Sequence, residues 1–419
     1  MATNNRAGEA QDPAGRYRGV RALSLAIAAP LSDADATIQP MPDASPAKWH
    51  LAHTSWFFET FVLRDHVAGY SPFDARWSYL FNSYYEGEGE RHARDRRGML
   101  SRPSLDEILA WRAHVDGALA AALPELPAPA RALVELGLHH EQQHQELMLM
   151  DVLAVFAANP LLPALFEPGP CAAQGEARPM GWIQGREGIV QVGDQGAGFA
   201  FDNERPRHRI FLQGHALGDR VVTNGEWMRF IEAGAYAEPR LWLADGWAWV
   251  RKEAIDAPLY WQQREGEWHR FGLDGVLPLD PAAPVCHISY YEADAFARWS
   301  GARLPTEAEW EAAASAHDPL GGNQLDQAGA PRPAAAQPAA AGFFGDVWEW
   351  TGSAYLPYPG FAADEGTIGE YNGKFMCSQM VLRGGSCATP RGHVRASYRN
   401  FFYPHQRWMF SGVRLARNA

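Results

Sequence analysis

Leu138-His139-His140-Glu141-Gln142-Gln143-His144-Gln145-Glu146-Leu147-Met148-Leu149-Met150-Asp151 is the stretch whose reading decides the fold. Its flanks, 131–137 before and 152–157 after, are rich in Ala and Leu, which predicts one long helix over Ala130–Phe156. Residues four apart on a helix share a face, with side-chain bases about 6 Å apart. His140 and His144 therefore aim at one point, with Gln143 beside them. Imidazole is the commonest protein ligand for first-row transition metals. Taken alone, the pair serves equally well as two ligands or as two histidines on a polar helix face.

At 419 residues the chain exceeds what one hydrophobic core usually serves, so two domains are expected. A 47% hydrophobic fraction with 16 Trp, 14 Tyr and 20 Phe describes a globular protein. A net charge of -12 argues against a phosphate-binding face and so against a nucleic acid partner. No apolar run is long enough to cross a membrane, and the first residues lack the basic-then-apolar pattern of a signal peptide. Cys171, Cys286, Cys377 and Cys387 are scattered without a CxxC pair, which fits reduced thiols and a cytoplasmic location.

Residues 1–16 read as a disordered tail, and 17–160 as a helical domain. Apolar residues recur at helical spacing in Leu51–Val62, Leu105–Ala122 and Ala130–Phe156, and with the N-terminal segment they predict an antiparallel four-helix bundle. Breaks fall at Pro40–Pro46, Tyr70–Phe73 and Leu123–Pro129. Residues 161–180, with Pro163, Pro168, Gly169 and Pro170, read as a linker. From 181 to 419 the chain turns irregular, with helices expected at Asn224–Ala233, Tyr290–Ser300 and Thr306–Ala314. Residues 327–341 are low-complexity and read as a surface loop.

In Lys48-Trp49-His50-Leu51-Ala52-His53-Thr54-Ser55-Trp56-Phe57-Phe58-Glu59, His53 sits on an apolar face before Trp56 and Phe57. A lone histidine there is more often a hydrogen-bonded core residue than a ligand. A bundle shifts that balance, because its sites are built from side chains on facing helices. One early-helix histidine plus His140 and His144 would make a three-imidazole site with open positions for substrate and oxygen. A structural zinc would instead want four protein ligands, usually including thiolate, and the first 170 residues contain no cysteine. Tyr84 and Tyr85 fall in a loop, where a phenol can donate a proton near a metal or simply pack by its ring. The arginines at 91–97 can read a carboxylate or form a solvated face, the latter slightly favoured.

The C-terminal half carries ordered motifs: Val222-Thr223-Asn224-Gly225-Glu226-Trp227, Pro284-Val285-Cys286-His287-Ile288-Ser289-Tyr290, Arg303-Leu304-Pro305-Thr306-Glu307-Ala308-Glu309-Trp310-Glu311, Gly345-Asp346-Val347-Trp348-Glu349-Trp350, Leu382-Arg383-Gly384-Gly385-Ser386 and Phe410-Ser411-Gly412-Val413-Arg414-Leu415. This half resembles the formylglycine-generating-enzyme (sulfatase-modifying factor) fold, a C-type-lectin-like α+β domain. The first half, with His53 and His140 to His144, is similar to the DinB-like four-helix bundle. The fold class expected is thus multidomain, α and α+β. Together the two halves resemble the ergothioneine-biosynthesis sulfoxide synthases (EgtB-like), with selenoneine synthase as a related branch.

The resemblance implies a mononuclear non-haem Fe(II) centre on His53, His140 and His144, with O2 as co-substrate. It implies small-molecule substrates: hercynine, joined at its imidazole C2 to a thiol or selenol donor. By the same resemblance, Tyr84 and Tyr85 are the catalytic candidates. Gln143 would contact the substrate imidazole, and Asn400, Phe401, Phe402, Arg94 and Arg97 are the other substrate-binding candidates. Two departures stand out. The copper-binding cysteines of formylglycine-generating enzymes correspond here to Thr389 and Val394, which disfavours formylglycine formation. The acid that helps read γ-glutamylcysteine is replaced by Phe402, which points to cysteine or a selenosugar as donor. The rival readings are a DinB-type thiol transferase using zinc or nickel, and a catalytically inactive binding module.

Overall fold

The computed structural model describes residues 12–169, 175, 177–196, 198–335, 342–366 and 369–419. The bundle's long helices are Pro13–Ala28, Ala47–Phe58, Leu105–Ala122 and Ala128–Ala158. Two shorter helices, Asp33–Thr37 and Trp77–Phe81, fill the connections. The starts follow local chemistry. The Asp12 side chain accepts from Ala14 N with Pro13 at the first helical position, and Ser104 and Glu107 form a reciprocal capping box. The first helix therefore begins at Pro13, inside the stretch expected to be a tail; residues 1–11 lie outside the described residues.

Every residue of Ala47–Phe58 is buried, so this helix is the bundle's centre. It runs on as a π-helical segment, Glu59–Arg64. The histidine helix packs against it at Gly137, where a Cβ would lie 2.5 Å from Phe58 Cε1, so only glycine allows this approach. One turn on, buried Glu141 accepts from Arg21 at 2.9 Å, from Ser24 at 2.6 Å and from Arg112. Burial alone would raise the Glu141 carboxyl, but Arg112 and Arg21 reverse this and hold it at about 2. That ion cluster ties the first, third and fourth long helices around the second.

The C-terminal domain is built on a four-stranded sheet in the order Asn400–Phe402, Met380–Arg383, Trp348–Ala354, Ser411–Gly412, the last pair parallel. Smaller antiparallel sheets surround it, one of which joins Trp182–Gln184 and Ala416–Asn418 through His215–Gly218. The helices Asn224–Glu232, Tyr290–Trp299 and Glu307–Ala314 form where expected, each opened by a capping box: Thr223 with Glu226, Ser289 with Glu292, Thr306 with Glu309. A further helix, Ala244–Lys252, lacks a side-chain cap, and its Gly246 and two tryptophans hide it from a periodicity reading. In the linker, Leu165 N and Phe166 N both donate to Leu273 O, so the connection is docked on the second domain. Part of it, 170–174 and 176, lies outside the described residues, as do Cys171 and 336–341 of the low-complexity loop. Cys286, Cys377 and Cys387 are free thiols. Among the described residues, no helix is long and apolar enough to cross a membrane.

The two domains meet along the histidine helix. Buried Glu146 accepts from Ser386 Oγ at 2.6 Å, Thr389 Oγ1 at 2.7 Å and Trp348 Nε1 at 2.7 Å, all from the second domain. Asp151 accepts from Trp408 Nε1 at 2.9 Å, and Gln143 donates to the Tyr398 oxygen at 2.8 Å. Replacing Glu146 by Ala would strand three buried donors, each costing about 1–3 kcal/mol. We expect Glu146→Ala to lower the stability of the assembled protein by roughly 3 kcal/mol or more in urea unfolding, and Glu146→Gln to cost less. Equal stability of Glu146→Ala and the wild type would refute this docking role.

Candidate functional site

His53, His140 and His144 place ligand-capable nitrogens within 4.8 Å of one another, the one such cluster among the described residues. Their ring centroids are 4.6–4.9 Å apart. His53 comes from the central helix and the other two from the histidine helix. Burial is the largest cause holding each imidazole below its usual range, and for His53 and His144 the neighbouring imidazoles add to it; His140 is at about 4. All three are therefore neutral near pH 7, as metal ligation requires.

The partners of each ring decide which nitrogen is available. His53 Nδ1 donates to the Phe81 carbonyl at 2.6 Å, so its Nε2 keeps the lone pair. His144 Nδ1 lies 2.8 Å from His50 Nδ1, and His50 Nε2 lies 3.0 Å from Asp151 Oδ2. Asp151 accepts only, so His50 carries its proton on Nε2 and accepts at Nδ1 from His144. That leaves His144 Nε2 with a free lone pair. Asp151 is itself fixed by Ser45 N at 2.7 Å and Trp408 Nε1 at 2.9 Å. His140 Nδ1 is buried and has no hydrogen-bond partner among the described residues. Three neutral imidazoles, two with a free Nε2 and one with an orphaned nitrogen, fit a transition-metal ion, and the carboxylate–histidine support behind His144 is the usual outer shell of such a centre.

The cluster opens on a cavity of about 180 Å³ walled by both domains. Every site residue expected from sequence lines it: Tyr84, Tyr85, Arg94, Arg97, Gln143, Asn400, Phe401 and Phe402, with the three histidines. Tyr85 is buried against Trp56 and Phe61, and Trp56 in turn stacks on His53. Tyr84 accepts from Arg94 at 2.6 Å, and its ring meets Phe375 edge-on. Arg97 corrects the solvated-face preference for the arginine cluster. It is 3% exposed, lies over the Trp49 ring at 3.4 Å and bonds Ser45 and Ser83. Burial, then the charge of Arg94, pushes its guanidinium down to about 9. No carboxylate bonds it among its described contacts, so it suits an anionic group of a ligand. On the opposite wall Phe401 stacks on Tyr355 at 4.1 Å, and Phe402 meets Trp408 edge-on.

Several residues that build this site carry little local signal in the sequence. His50 was visible three residues before His53, but nothing local says that it faces His144 across the bundle. Asp151, Glu146, His393 and Tyr398 gave no signal beyond their residue type, because their partners lie in the other domain. Thr389 and Val394 both flank Gly385, at 3.5 and 3.1 Å from where its Cβ would be, and Thr389 serves the docking of Glu146.

Comparison with known proteins agrees with this architecture. Residues 16–148 match the DinB superfamily, and residues 172–342 and 334–419 match the sulfatase-modifying factor enzyme 1-like domain. The hercynine oxygenase of Mycolicibacterium smegmatis is 34% identical over 411 residues, covering 92% of this chain and 94% of that protein. The chain belongs to the hercynine oxygenase family. The Mycobacterium tuberculosis member is also 34% identical, over 92% of this chain and 93% of its own length. A formylglycine-generating enzyme of Streptomyces coelicolor is 36% identical over 174 residues, only 39% of this chain and 54% of that one. Kinship across both domains makes this chain an oxidoreductase of the hercynine oxygenase family.

The centre makes two measurable demands. His140→Ala should abolish stoichiometric metal binding, read by elemental analysis after loading. Asp151→Asn, which turns one of the two acceptor oxygens holding His50 and Trp408 into an NH2 facing a donor, should weaken metal affinity by about 10-fold or more. Unchanged metal content in His140→Ala would place the centre elsewhere.

Proposed function

We propose that this protein is a non-haem iron(II), O2-dependent enzyme that joins a sulfur or selenium donor to the imidazole C2 of hercynine. The single observation that carries this is the neutral three-histidine cluster opening on an interdomain cavity, in a chain of the hercynine oxygenase family. A ferrous ion held by His53, His140 and His144 would supply the redox chemistry with O2. The chain's own residues do the rest. Gln143 is fixed by the bond from its amide nitrogen to Tyr398, and its carbonyl oxygen, the acceptor of the amide, would take the N–H of the substrate imidazole. Holding imidazole and donor in one cavity replaces a multimolecular encounter by an oriented complex.

Tyr85, buried beside Trp56 and lining the cavity with His140, is positioned to hand over a proton or hydrogen atom; Tyr84 stands behind it with Arg94. Arg94 and Arg97 provide positive charge for a substrate carboxylate. Phe401, Phe402 and Phe375 give an aromatic wall that suits a trimethylammonium group through cation–π contact. Asn400 completes this wall near the amino-acid end of the substrate. The absence of a carboxylate at Phe402 favours cysteine or an uncharged selenosugar over γ-glutamylcysteine as donor. The acidic chain, with its reduced thiols, suits a cytoplasmic setting.

The test is anaerobic binding of hercynine to the iron-loaded protein, then O2 with cysteine, γ-glutamylcysteine or a selenosugar in parallel. We expect O2 uptake and a C2-linked product by mass spectrometry with cysteine or the selenosugar. Failure of all three donors to drive O2 uptake would sink the reading. Tyr85→Phe should divert products toward the oxidised donor, and an unchanged product ratio would remove Tyr85 from the chemistry.

A further inference from the structure

Five side chains form one hydrogen-bonded chain from the bundle's flank to the cavity wall. Arg16 NH2 lies 2.9 Å from His139 Nε2, and His139 Nδ1 lies 3.3 Å from His393 Nδ1. His393 Nε2 lies 3.2 Å from the Tyr398 oxygen, which also accepts from Gln143 Nε2 at 2.8 Å. The direction of every bond follows from the first. A guanidinium has donors and no acceptor, so His139 Nε2 must accept, and neutral His139 carries its proton on Nδ1. His393 Nδ1 then accepts, which puts its proton on Nε2 and aims that N–H at Tyr398. The phenol oxygen thus receives two hydrogen bonds, from His393 and from Gln143. Among the described residues its own O–H finds no acceptor, and the direction left is the cavity that Tyr398 lines.

We propose that Tyr398 presents its O–H to the cavity as a donor to the carboxylate of the bound amino-acid betaine, and that Arg16 is the positioning residue that sets this orientation from the far end of the chain. A hydroxyl that accepts two hydrogen bonds is polarised into a stronger donor, and an ionised acceptor gains most from it. Arg16 is anchored for this role by Glu135, 3.1 Å from its other nitrogen, and the ring of Phe199 stacks on His139 at 4.0 Å. Without a donor-only group at position 16, His139 is free to hold its proton on Nε2. The chain then reverses, and the Tyr398 O–H turns away from the cavity to donate to His393.

This inference rests on hercynine being the ligand. Its test is anaerobic calorimetric binding of hercynine, and of its carboxylate-free analogue Nα-trimethylhistamine, to the iron-loaded protein. Tyr398→Phe should weaken hercynine binding by about 10-fold or more, the scale of a hydrogen bond to a charged group, and leave the analogue unaffected. Arg16→Met should weaken hercynine several-fold, while Arg16→Lys, also a pure donor, stays within about twofold of wild type. In a Tyr398→Phe background, Arg16→Met should add no further loss, since both act through one O–H. Unchanged hercynine binding in Tyr398→Phe, or losses that simply add in the double variant, would overturn the proposal. Wild-type protein that binds no hercynine would instead strike at the proposed function.

Discussion

Glu146 is the point on which the two-domain arrangement turns. Its carboxylate is buried and, among the described residues, reaches no cation. It is satisfied by two hydroxyls and an indole from the other domain, at 2.6–2.7 Å. Burial pushes its carboxyl above the usual range while those three donors pull it back. A buried carboxyl with all its acceptors used is tolerable, and one without them is not. The histidine helix can therefore sit only where Ser386, Thr389 and Trp348 meet it. That constraint brings His140, Gln143 and His144 to face the strand Asn400–Phe402 across one cavity.

The same helix also carries the electrostatic balance of the bundle. Glu141 points inward to Arg21 and Arg112, while Glu146 points to the second domain, and His140 and His144 stand beside them on the same helix. Arg21 and Arg112 answer the Glu141 charge on one side, and neutral donors answer Glu146 on the other. The three histidines then stay neutral by burial, and their tautomers are set by fixed acceptors: the Phe81 carbonyl for His53, and the His50–Asp151 pair for His144. Asp151 is itself held by Trp408, so part of the histidine cluster's support comes from the second domain.

The second domain matches the sulfatase-modifying factor enzyme 1-like domain, and its Arg-Gly-Gly-Ser loop, with Thr389 and Val394 beside Gly385, meets a carboxylate of the partner domain. Its contribution to the cavity comes from elsewhere, from Tyr398 through Phe402 and the aromatic residues stacked on them. One scaffold thus serves as wall and clamp, and the bundle supplies the centre.

Much of this was legible in the residues themselves. Helical spacing gave the bundle and three helices of the second domain, and the i,i+4 histidines gave two of three clustered imidazoles. Those features are local, fixed by periodicity and by contacts within a few residues. The motif strings added the family and, through it, the residues that line the cavity. What only the tertiary structure decided depends on pairs far apart in the chain: His50 with His144, Glu146 with Ser386, His139 with His393, Gln143 with Tyr398. Arg97 shows the difference most simply. Its neighbours in sequence read as a solvated basic face, but packing on Trp49 buries it at the cavity wall. Composition and spacing determine which groups are present and which share a face. Whether a polar group is buried, and which partner then fixes its proton, is set by chain segments brought together only on folding.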